Sequence, residues 1–228
     1  MIDRALPEAN IRSARSAIAR LGLERLRESY FTTFWLPRGE APRNPVEAAV
    51  GALWEHAAAA APVLGLEEIA RRGSSREPAA GLLAGCSGAE WWIGRSYTTS
   101  VPVGFHFDQD VKARRGLRHP LLSSVFFFNA VRGGHLAITD QVPGRGGRPL
   151  PAEPTRLQAV KPRRNRYALF RGDRFHGVLD ARGRTPSRPL PGPAGRLRVT
   201  LVVNFWQARP SDVPEWSETR LYRALAGG

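Results

Sequence analysis

The feature that most constrains the fold of this chain is a change in its apolar pattern at about Ala89. Beyond this residue, apolar stretches of four to eight residues are separated by Gly and Pro. Such stretches are typical of short β-strands. Eight candidate strands follow in order, over residues 90–99, 101–107, 123–130, 135–139, 157–161, 166–170, 176–179 and 197–206. This number of short strands predicts a double-sheet jelly roll of the cupin kind, which is a double-stranded β-helix.

The residues before Ala89 predict helices instead. Residues 10–30 place apolar side chains at helical spacing. Asn44 as N-cap, with Pro45 in the first turn, predicts a second helix over 46–61. Residues 66–72 predict another turn or two of helix, and residues 31–35 either a short strand or an extension of the first helix. The Gly- and Pro-rich segments 73–88, 143–154 and 183–195 predict loops, and residues 213–226 predict a last short helix.

Together these elements predict a mainly β, α+β fold in a single domain over residues 1–228. The predicted parts are a helical support region over 1–88, the jelly-roll core over 89–208 and a tail helix within 209–228. No stretch approaches the ~20 apolar residues of a membrane helix, and the start of the chain lacks the core of a signal peptide. The single cysteine, Cys86, excludes an internal disulfide and fits a reducing compartment. We therefore expect a cytoplasmic protein with no membrane segment.

The chain is strongly basic. It holds 34 Lys and Arg against 20 Asp and Glu, a formal net charge of +14. The excess is concentrated in residues 143–198, where Glu153, Asp173 and Asp180 are the acids. A solvated basic face is the ordinary explanation, and a groove for an anionic substrate or polyanion is the alternative.

A His-x-Asp motif, His106-Phe107-Asp108, ends one of the predicted strands. Iron(II) accepts two imidazoles and one carboxylate on one face and keeps three positions open for chemistry. The motif is common by chance, and the third ligand has to come from elsewhere. The remaining histidines are His56, His119, His135 and His176, and each of them alone is more ordinarily a structural residue.

From about Trp91 to Trp206 the chain resembles the iron(II)- and 2-oxoglutarate-dependent dioxygenases, and within them the prolyl 4-hydroxylase-like group. The resemblance rests on five motifs that occur in the family's order. They are the His-x-Asp of 106–108, the hydrophobic strand and Gly-Gly hairpin of 125–129 and 133–136, the strand pair of 160–170, His-Gly-Val at 176–178 and the basic strand of 195–201.

The resemblance implies a role for each matching residue. His106, Asp108 and His176 would bind iron, and a basic residue of the last strand would bind the far carboxylate of 2-oxoglutarate. Arg198 and Thr200 share the cavity-facing parity of that strand. Arg196 is the alternative arginine, because the separation of 22 residues between His176 and Arg198 is long for the family.

Three further residues have open assignments. Tyr97 either hydrogen-bonds 2-oxoglutarate or is a half-buried strand tyrosine. Asn204 and Trp206, near the end of the last strand, either line the pocket or pack in the core.

The resemblance implies an enzyme that uses Fe(II), 2-oxoglutarate and O2 to hydroxylate an unactivated C–H bond, with succinate and CO2 as co-products. Relatives that halogenate have a small residue in place of the acid, so Asp108 favours hydroxylation, with desaturation and ring closure left open. We expect a peptide, amino-acid-like or natural-product substrate, and the basic segment favours an acidic one. A nucleic-acid oxidative demethylase and a non-catalytic cupin-like binding protein are the alternatives.

Overall fold

The computed structural model describes residues 1–28, 32–60, 83, 85–95, 104–113, 118–186 and 198–227. It contains two α-helices, α1 (Glu8–Glu28) and α2 (Pro45–Ala60), within these residues. The strands are β1 (Ile2–Asp3), β2 (Phe34–Pro37), β3 (Gly88–Arg95), β4 (Leu122–Phe127), β5 (His135–Thr139), β6 (Val142–Pro143), β7 (Pro149–Leu150), β8 (Leu157–Val160), β9 (Arg166–Arg171), β10 (His176–Leu179) and β11 (Val199–Trp206).

The strands form two main antiparallel sheets. The larger sheet has the order β1-β9-β4-β11-β3-β2 and the smaller one has the order β10-β5-β8, while β6 and β7 form a separate hairpin. His106 extends the smaller sheet, because it pairs with His176 at the free edge of β10. From β3 onward the chain passes repeatedly between the two sheets, which is the topology of a jelly roll. The predicted fold class is therefore confirmed.

The helices cover the outer face of the larger sheet. Alternate residues of β11 (Leu201, Val203 and Phe205) are fully buried in one core with the apolar sides of α1 and α2. Trp54 of α2 packs edge-to-face on Phe205, with ring centroids 5.1 Å apart. Because side chains alternate along a strand, the intervening residues of β11 point into the space between the two sheets. The helices thus leave the inner face of the larger sheet to the cavity.

The N-terminal region also contributes strands, which the sequence did not fully predict. β1 pairs with β9 at one edge of the larger sheet, where Arg166 Nε donates to Asp3 Oδ1 at 2.7 Å. β2 pairs with β3 at the other edge, so part of the ambiguous segment 31–35 is a strand. Two-residue strands such as β1 carry too little apolar pattern to be recognised in a sequence.

Several other elements differ from the predictions. In place of the predicted tail helix, the chain forms two 3₁₀ turns, Trp216–Glu218 and Arg223–Leu225. The predicted loop at 143–154 contains the β6–β7 hairpin with a 3₁₀ turn at Arg145–Gly147. Within the predicted strand 101–107, the described part pairs with β10 only at His106. The predicted helix over 66–72 lies outside the described residues.

Two of the remaining expectations can be compared directly with the structure. Among the described helices, none combines the length and the apolar character that are needed to cross a membrane. Cys86 is buried and donates its thiol proton to the Gly88 carbonyl oxygen. Burial raises the pKa of this thiol to about 11, which makes it a poor nucleophile. The compartment of the protein stays a prediction.

The predicted N-cap of α2 is confirmed. Asn44 Oδ1 accepts hydrogen bonds from the backbone N–H groups of Val46 at 2.9 Å and Glu47 at 3.0 Å. We expect Asn44→Ala to lower the free energy of unfolding by about 1 kcal/mol, because it leaves both donors without their acceptor. Chemical denaturation measures this change. Asn44→Ser is the matched control, since a serine hydroxyl can also cap the helix, and an equal loss in both variants would contradict the capping explanation.

Candidate metal centre

Three predicted ligands meet at the mouth of the jelly roll. His106 and His176 are held side by side because their backbones exchange two hydrogen bonds, of 2.8 and 3.0 Å. Asp108 lies between the two rings, with one carboxylate oxygen 3.5 Å from His106 Nε2 and the other 3.5 Å from His176 Nε2. One donor atom from each of the three residues lies within 4.8 Å of the others. This spacing is short enough for one metal ion to reach all three.

The orientation of the two imidazoles is fixed by the backbone. His106 Nδ1 lies 2.9 Å from the Gly104 carbonyl oxygen, and His176 Nδ1 lies 2.9 Å from that of Arg174. A carbonyl oxygen only accepts, so each Nδ1 carries a proton, and in the neutral form of each ring the lone pair of Nε2 faces Asp108. Two lone pairs and a carboxylate then converge, an arrangement that suits a metal cation. Two imidazoles and one carboxylate are the donor set of the iron(II) facial triad.

The electrostatics of Asp108 and His176 agree with this arrangement, whereas the hydrogen bond and charge of Asp108 outweigh burial and raise the pKa of His106. Burial alone would raise the pKa of Asp108, but the two imidazoles and a hydrogen bond from Ser123 outweigh it and hold the pKa below its ordinary value. Burial lowers the pKa of His176, which favours the neutral ring that a metal requires. His106 is the more accessible of the two, with 43% of its side chain exposed against 8% for His176.

Asp108 is positioned by residues from two other segments. The Ser123 hydroxyl, at the start of β4, donates to Asp108 Oδ2 at 2.7 Å. His119 Nδ1 lies 2.8 Å from the backbone carbonyl oxygen of Asp108 and donates to it. Two residues further on, the buried Asp110 accepts from the backbone and hydroxyl of Ser211 and pairs with Arg118. The segment that carries the acid is therefore anchored on both sides of Asp108.

Aromatic rings shield the histidines on one side. Phe170 of β9 contacts His176, with ring centroids 4.9 Å apart, and Phe107 packs on Phe175 at 4.8 Å. Phe105 also packs on Phe175, with ring centroids 5.6 Å apart. These apolar neighbours strengthen electrostatic interactions at the centre, because they lower the local dielectric.

A cavity of about 300 Å³ opens next to the three ligands and contains Arg198 and Thr200 in its wall. Arg198 is 7% exposed, and its guanidinium lies 5.2 Å from the centre of the Phe127 ring. Thr200 Oγ1 donates to the Gly94 carbonyl oxygen at 3.3 Å. A Cβ atom at position 94 would lie 2.5 Å from Thr200 Oγ1, which is too close, so this part of the cavity wall requires glycine. The cavity thus joins the candidate metal centre to a buried arginine.

The other residues singled out in the sequence are placed as follows. Tyr97 and Arg196 lie outside the described residues, so their assignments stay predictions. Asn204 is 1% exposed on the inner face of the larger sheet, and Trp206 is buried against Trp35 and Val213. The remaining histidines do not join the group: His56 contacts the Ala5 carbonyl oxygen, His119 holds the Asp108 backbone, and His135 begins β5.

Sequence reasoning missed three residues next to the centre, namely Ser123, Glu90 and Thr33. Ser123 contacts Asp108, Thr33 lines the cavity, and Glu90 lies beside Thr33. The only signal was a polar side chain in an otherwise apolar strand. Strand register decides which of these side chains meet, and the register of distant segments cannot be deduced from one sequence.

We expect Ser123→Ala to weaken metal binding by about 10- to 100-fold, because the carboxylate of Asp108 loses the donor that orients it. Titration of the purified protein with iron(II) under anaerobic conditions measures this change. Ser124→Ala is the matched control, since the adjacent hydroxyl donates to the Val203 carbonyl oxygen and not to Asp108. Equal weakening in both variants would show that the effect comes from β4 and not from Asp108.

No family model and no curated protein matches the chain. Among solved structures, the chain is similar to a prolyl-4-hydroxylase of Pseudomonas putida, at 18% identity, with 91% of each chain covered and a TM-score of 0.47. It is also similar to HygX from Streptomyces hygroscopicus, solved with nickel and 2-oxoglutarate bound, at 15% identity over 97% of this chain and 88% of that chain, with a TM-score of 0.42.

A third similar structure is SnoN, the non-haem α-ketoglutarate-dependent epimerase from nogalamycin biosynthesis. Its identity is 14%, over 89% of this chain and 76% of that chain, with a TM-score of 0.42.

Proposed function

We propose that this protein is a non-haem Fe(II)- and 2-oxoglutarate-dependent dioxygenase that hydroxylates an unactivated C–H bond. The observation that carries the proposal is the convergence of two imidazole Nε2 atoms and one carboxylate at the mouth of a jelly roll. In both rings the tautomer that binds metal is fixed by a backbone carbonyl. His106, Asp108 and His176 are the proposed iron ligands.

Arg198 and Thr200 are the proposed residues for 2-oxoglutarate. A buried guanidinium offers paired donors to a carboxylate, and the Thr200 hydroxyl lies on the same strand two residues further on. Both line the cavity that contains the three ligands. When bound together, iron(II), 2-oxoglutarate and O2 would supply oxidative decarboxylation, in which one oxygen atom of O2 enters succinate as CO2 is released and the other enters a C–H bond.

The side chains of the chain would hold and orient the reactants. Ser123 and the two backbone carbonyls keep the three ligands in place without substrate, so little reorganisation is needed when a metal binds. Val125, Leu136 and Val202 form apolar walls of the cavity and exclude water from its interior. Asp108 favours hydroxylation over halogenation, because its carboxylate would occupy the metal position that a halide needs.

The proposed substrate is a peptide, an amino-acid-like compound or a natural product. The basic segment 143–198 is partly neutralised, since Arg166 pairs with Asp3, Arg164 with Glu8 and Arg171 with Asp173. Recognition of an acidic substrate would therefore depend on the other basic side chains of this segment. The nucleic-acid alternative would need exposed aromatic side chains, and the exposed large apolar residues in the described part of the chain include none.

The test is anaerobic addition of iron(II) and 2-oxoglutarate, followed by visible absorption spectroscopy. We expect the metal-to-ligand charge-transfer band of a 2-oxoglutarate complex, and succinate formation once air is admitted. Absence of the band together with absence of bound iron would overturn the proposal and favour a non-catalytic cupin-like protein. Binding to a nucleic acid that weakens steeply with added salt would instead favour the demethylase.

A further inference from the structure

A row of polar side chains crosses the inner face of the larger sheet. In the strand register, Glu90 of β3 lies opposite Asn204 of β11, and Asn204 lies opposite Ser123 of β4. Cross-strand partners point to the same face of a sheet. Because the Ser123 hydroxyl bonds to Asp108, the row lies level with the candidate metal centre. Glu90 is two strand spacings from Ser123, or about 10 Å.

Glu90 has neutral partners. Trp206 Nε1 donates to Glu90 Oε2 at 3.1 Å, and the Thr33 side chain bonds to the same carboxyl group. Within the described part of the chain, no Lys, Arg or His forms an ion pair with Glu90. Burial raises the pKa of Glu90 to about 7, and the nearby Asp108 and Asp110 carboxylates act in the same direction. A cation bound next to such a carboxyl group would stabilise its ionised form and lower its pKa.

Asn204 adds a second acceptor beside Glu90. Its Oδ1 atom is buried and has no hydrogen-bond partner among the described residues. Buried amide oxygens are normally satisfied, so an unused acceptor at this level of the cavity points to a missing donor. Thr33, which contacts Glu90, lines the cavity together with Trp92, so Glu90 and Asn204 lie directly behind this part of the cavity wall.

The charges of the proposed complex also favour a cation here. The two positive charges of iron(II) and the one of Arg198 balance the single charge of Asp108 and the two of 2-oxoglutarate. With iron(II) and 2-oxoglutarate bound, Glu90 would be an ionisable side chain that has no counter-charge among the described residues near it. A neutral or anionic group placed there would leave the carboxyl group of Glu90 without a counter-charge and its pKa raised.

From these observations we propose that Glu90 and Asn204 bind a protonated amine of the substrate beside the metal. The proposal rests on the proposed function and deepens it, because it selects amine-bearing molecules from the wider class of peptides and small molecules. Glu90 supplies the charge and Asn204 Oδ1 a second acceptor, while Trp92 and Thr33 contact the apolar part of the molecule. The iron-binding side chains would then be close to carbon atoms near the amine.

The test uses protein loaded with manganese(II) and 2-oxoglutarate, and three probes that share a cyclohexyl ring: cyclohexylamine, cyclohexanol and cyclohexanecarboxylate. The paramagnetic ion speeds the proton relaxation of a probe only when that probe binds near it. We expect enhanced relaxation for cyclohexylamine alone. Glu90→Gln keeps the shape and the bonds to Trp206 and Thr33, and we expect it to weaken amine binding by about tenfold or more, because the charge is lost.

Two further variants make the result specific. Asn204→Leu removes the acceptor without touching the charge, and we expect a smaller loss of amine binding. Glu153→Gln is the matched control, since Glu153 is an exposed acid in a loop, and we expect it to bind the amine as the unchanged protein does. Thermal unfolding curves of all variants establish that each is folded.

The outcomes separate this inference from the proposed function. If manganese(II) does not bind at all, the proposed function fails and this inference fails with it. If manganese(II) and 2-oxoglutarate bind but cyclohexylamine does not, or binds Glu90→Gln equally well, the amine site alone is overturned. Equal relaxation of cyclohexanecarboxylate in the unchanged protein would overturn it too.

Discussion

Replacing His106 or Asp108 by alanine is expected to abolish iron binding and, with it, substrate-stimulated succinate formation. Each variant leaves only two side-chain donors for the metal. Removing a metal ligand weakens binding more than removing a residue that only orients a ligand. The loss of iron affinity should therefore exceed about 100-fold, which is the upper value expected when an orienting residue is replaced. Metal content after dialysis against iron(II), and succinate formed from 2-oxoglutarate in air, measure the two effects.

His135→Ala is the matched control for this experiment. His135 begins β5 on the same small sheet, but it contributes no donor to the group of three. We expect it to bind iron and form succinate as the unchanged protein does. Normal turnover by His106→Ala or Asp108→Ala, with the control also normal, would contradict the assignment of the metal centre.

The order of the motifs along the chain was sufficient to predict the jelly roll and the group of three. His106 and His176 are 70 residues apart in sequence, yet antiparallel pairing at the edge of β10 makes them neighbours. Apolar alternation in β11 was equally informative, because it places Leu201 toward the helices and Thr200 toward the cavity. These features depend on local patterns and on a known strand order, and both can be identified in one sequence.

The surroundings of the site were not predictable in the same way. Ser123 contacts Asp108, and Glu90 lies opposite Asn204, only because three strands adopt one particular register. A slip of one residue would turn each of these side chains to the other face. The Nδ1 hydrogen bonds that fix both imidazoles are likewise made to carbonyls two residues earlier in each segment, and the local backbone conformation alone decides them.

Of the two arginines that the sequence offers for 2-oxoglutarate, Arg198 belongs to the described residues. Arg198 lies in the cavity wall, buried above the Phe127 ring, whereas Arg196 lies outside the described residues. Thr200, two residues after Arg198, lines the same wall, as the strand parity predicted. A functional test of Arg198 is therefore needed.

Arg198→Lys is expected to raise the KM for 2-oxoglutarate by about 10- to 100-fold, with iron binding retained. Lysine keeps the positive charge but offers a single point of contact, whereas the guanidinium offers paired donors in the fixed geometry of a carboxylate. Arg198→Gln also removes the charge, and its KM should rise further. Succinate formation over a range of 2-oxoglutarate concentrations measures both values, and the charge-transfer band should then require more 2-oxoglutarate for half-saturation.

The matched control is Arg182→Lys, which makes the same change at an exposed arginine in the turn after β10. We expect its KM for 2-oxoglutarate to equal that of the unchanged protein. An unaltered KM in both arginine variants would remove Arg198 from the co-substrate site and favour Arg196. A loss of iron binding in Arg198→Lys would instead indicate that this arginine supports the metal centre. Because iron binding and KM are measured separately, the two roles are distinguishable: a carboxylate partner changes the response to 2-oxoglutarate alone.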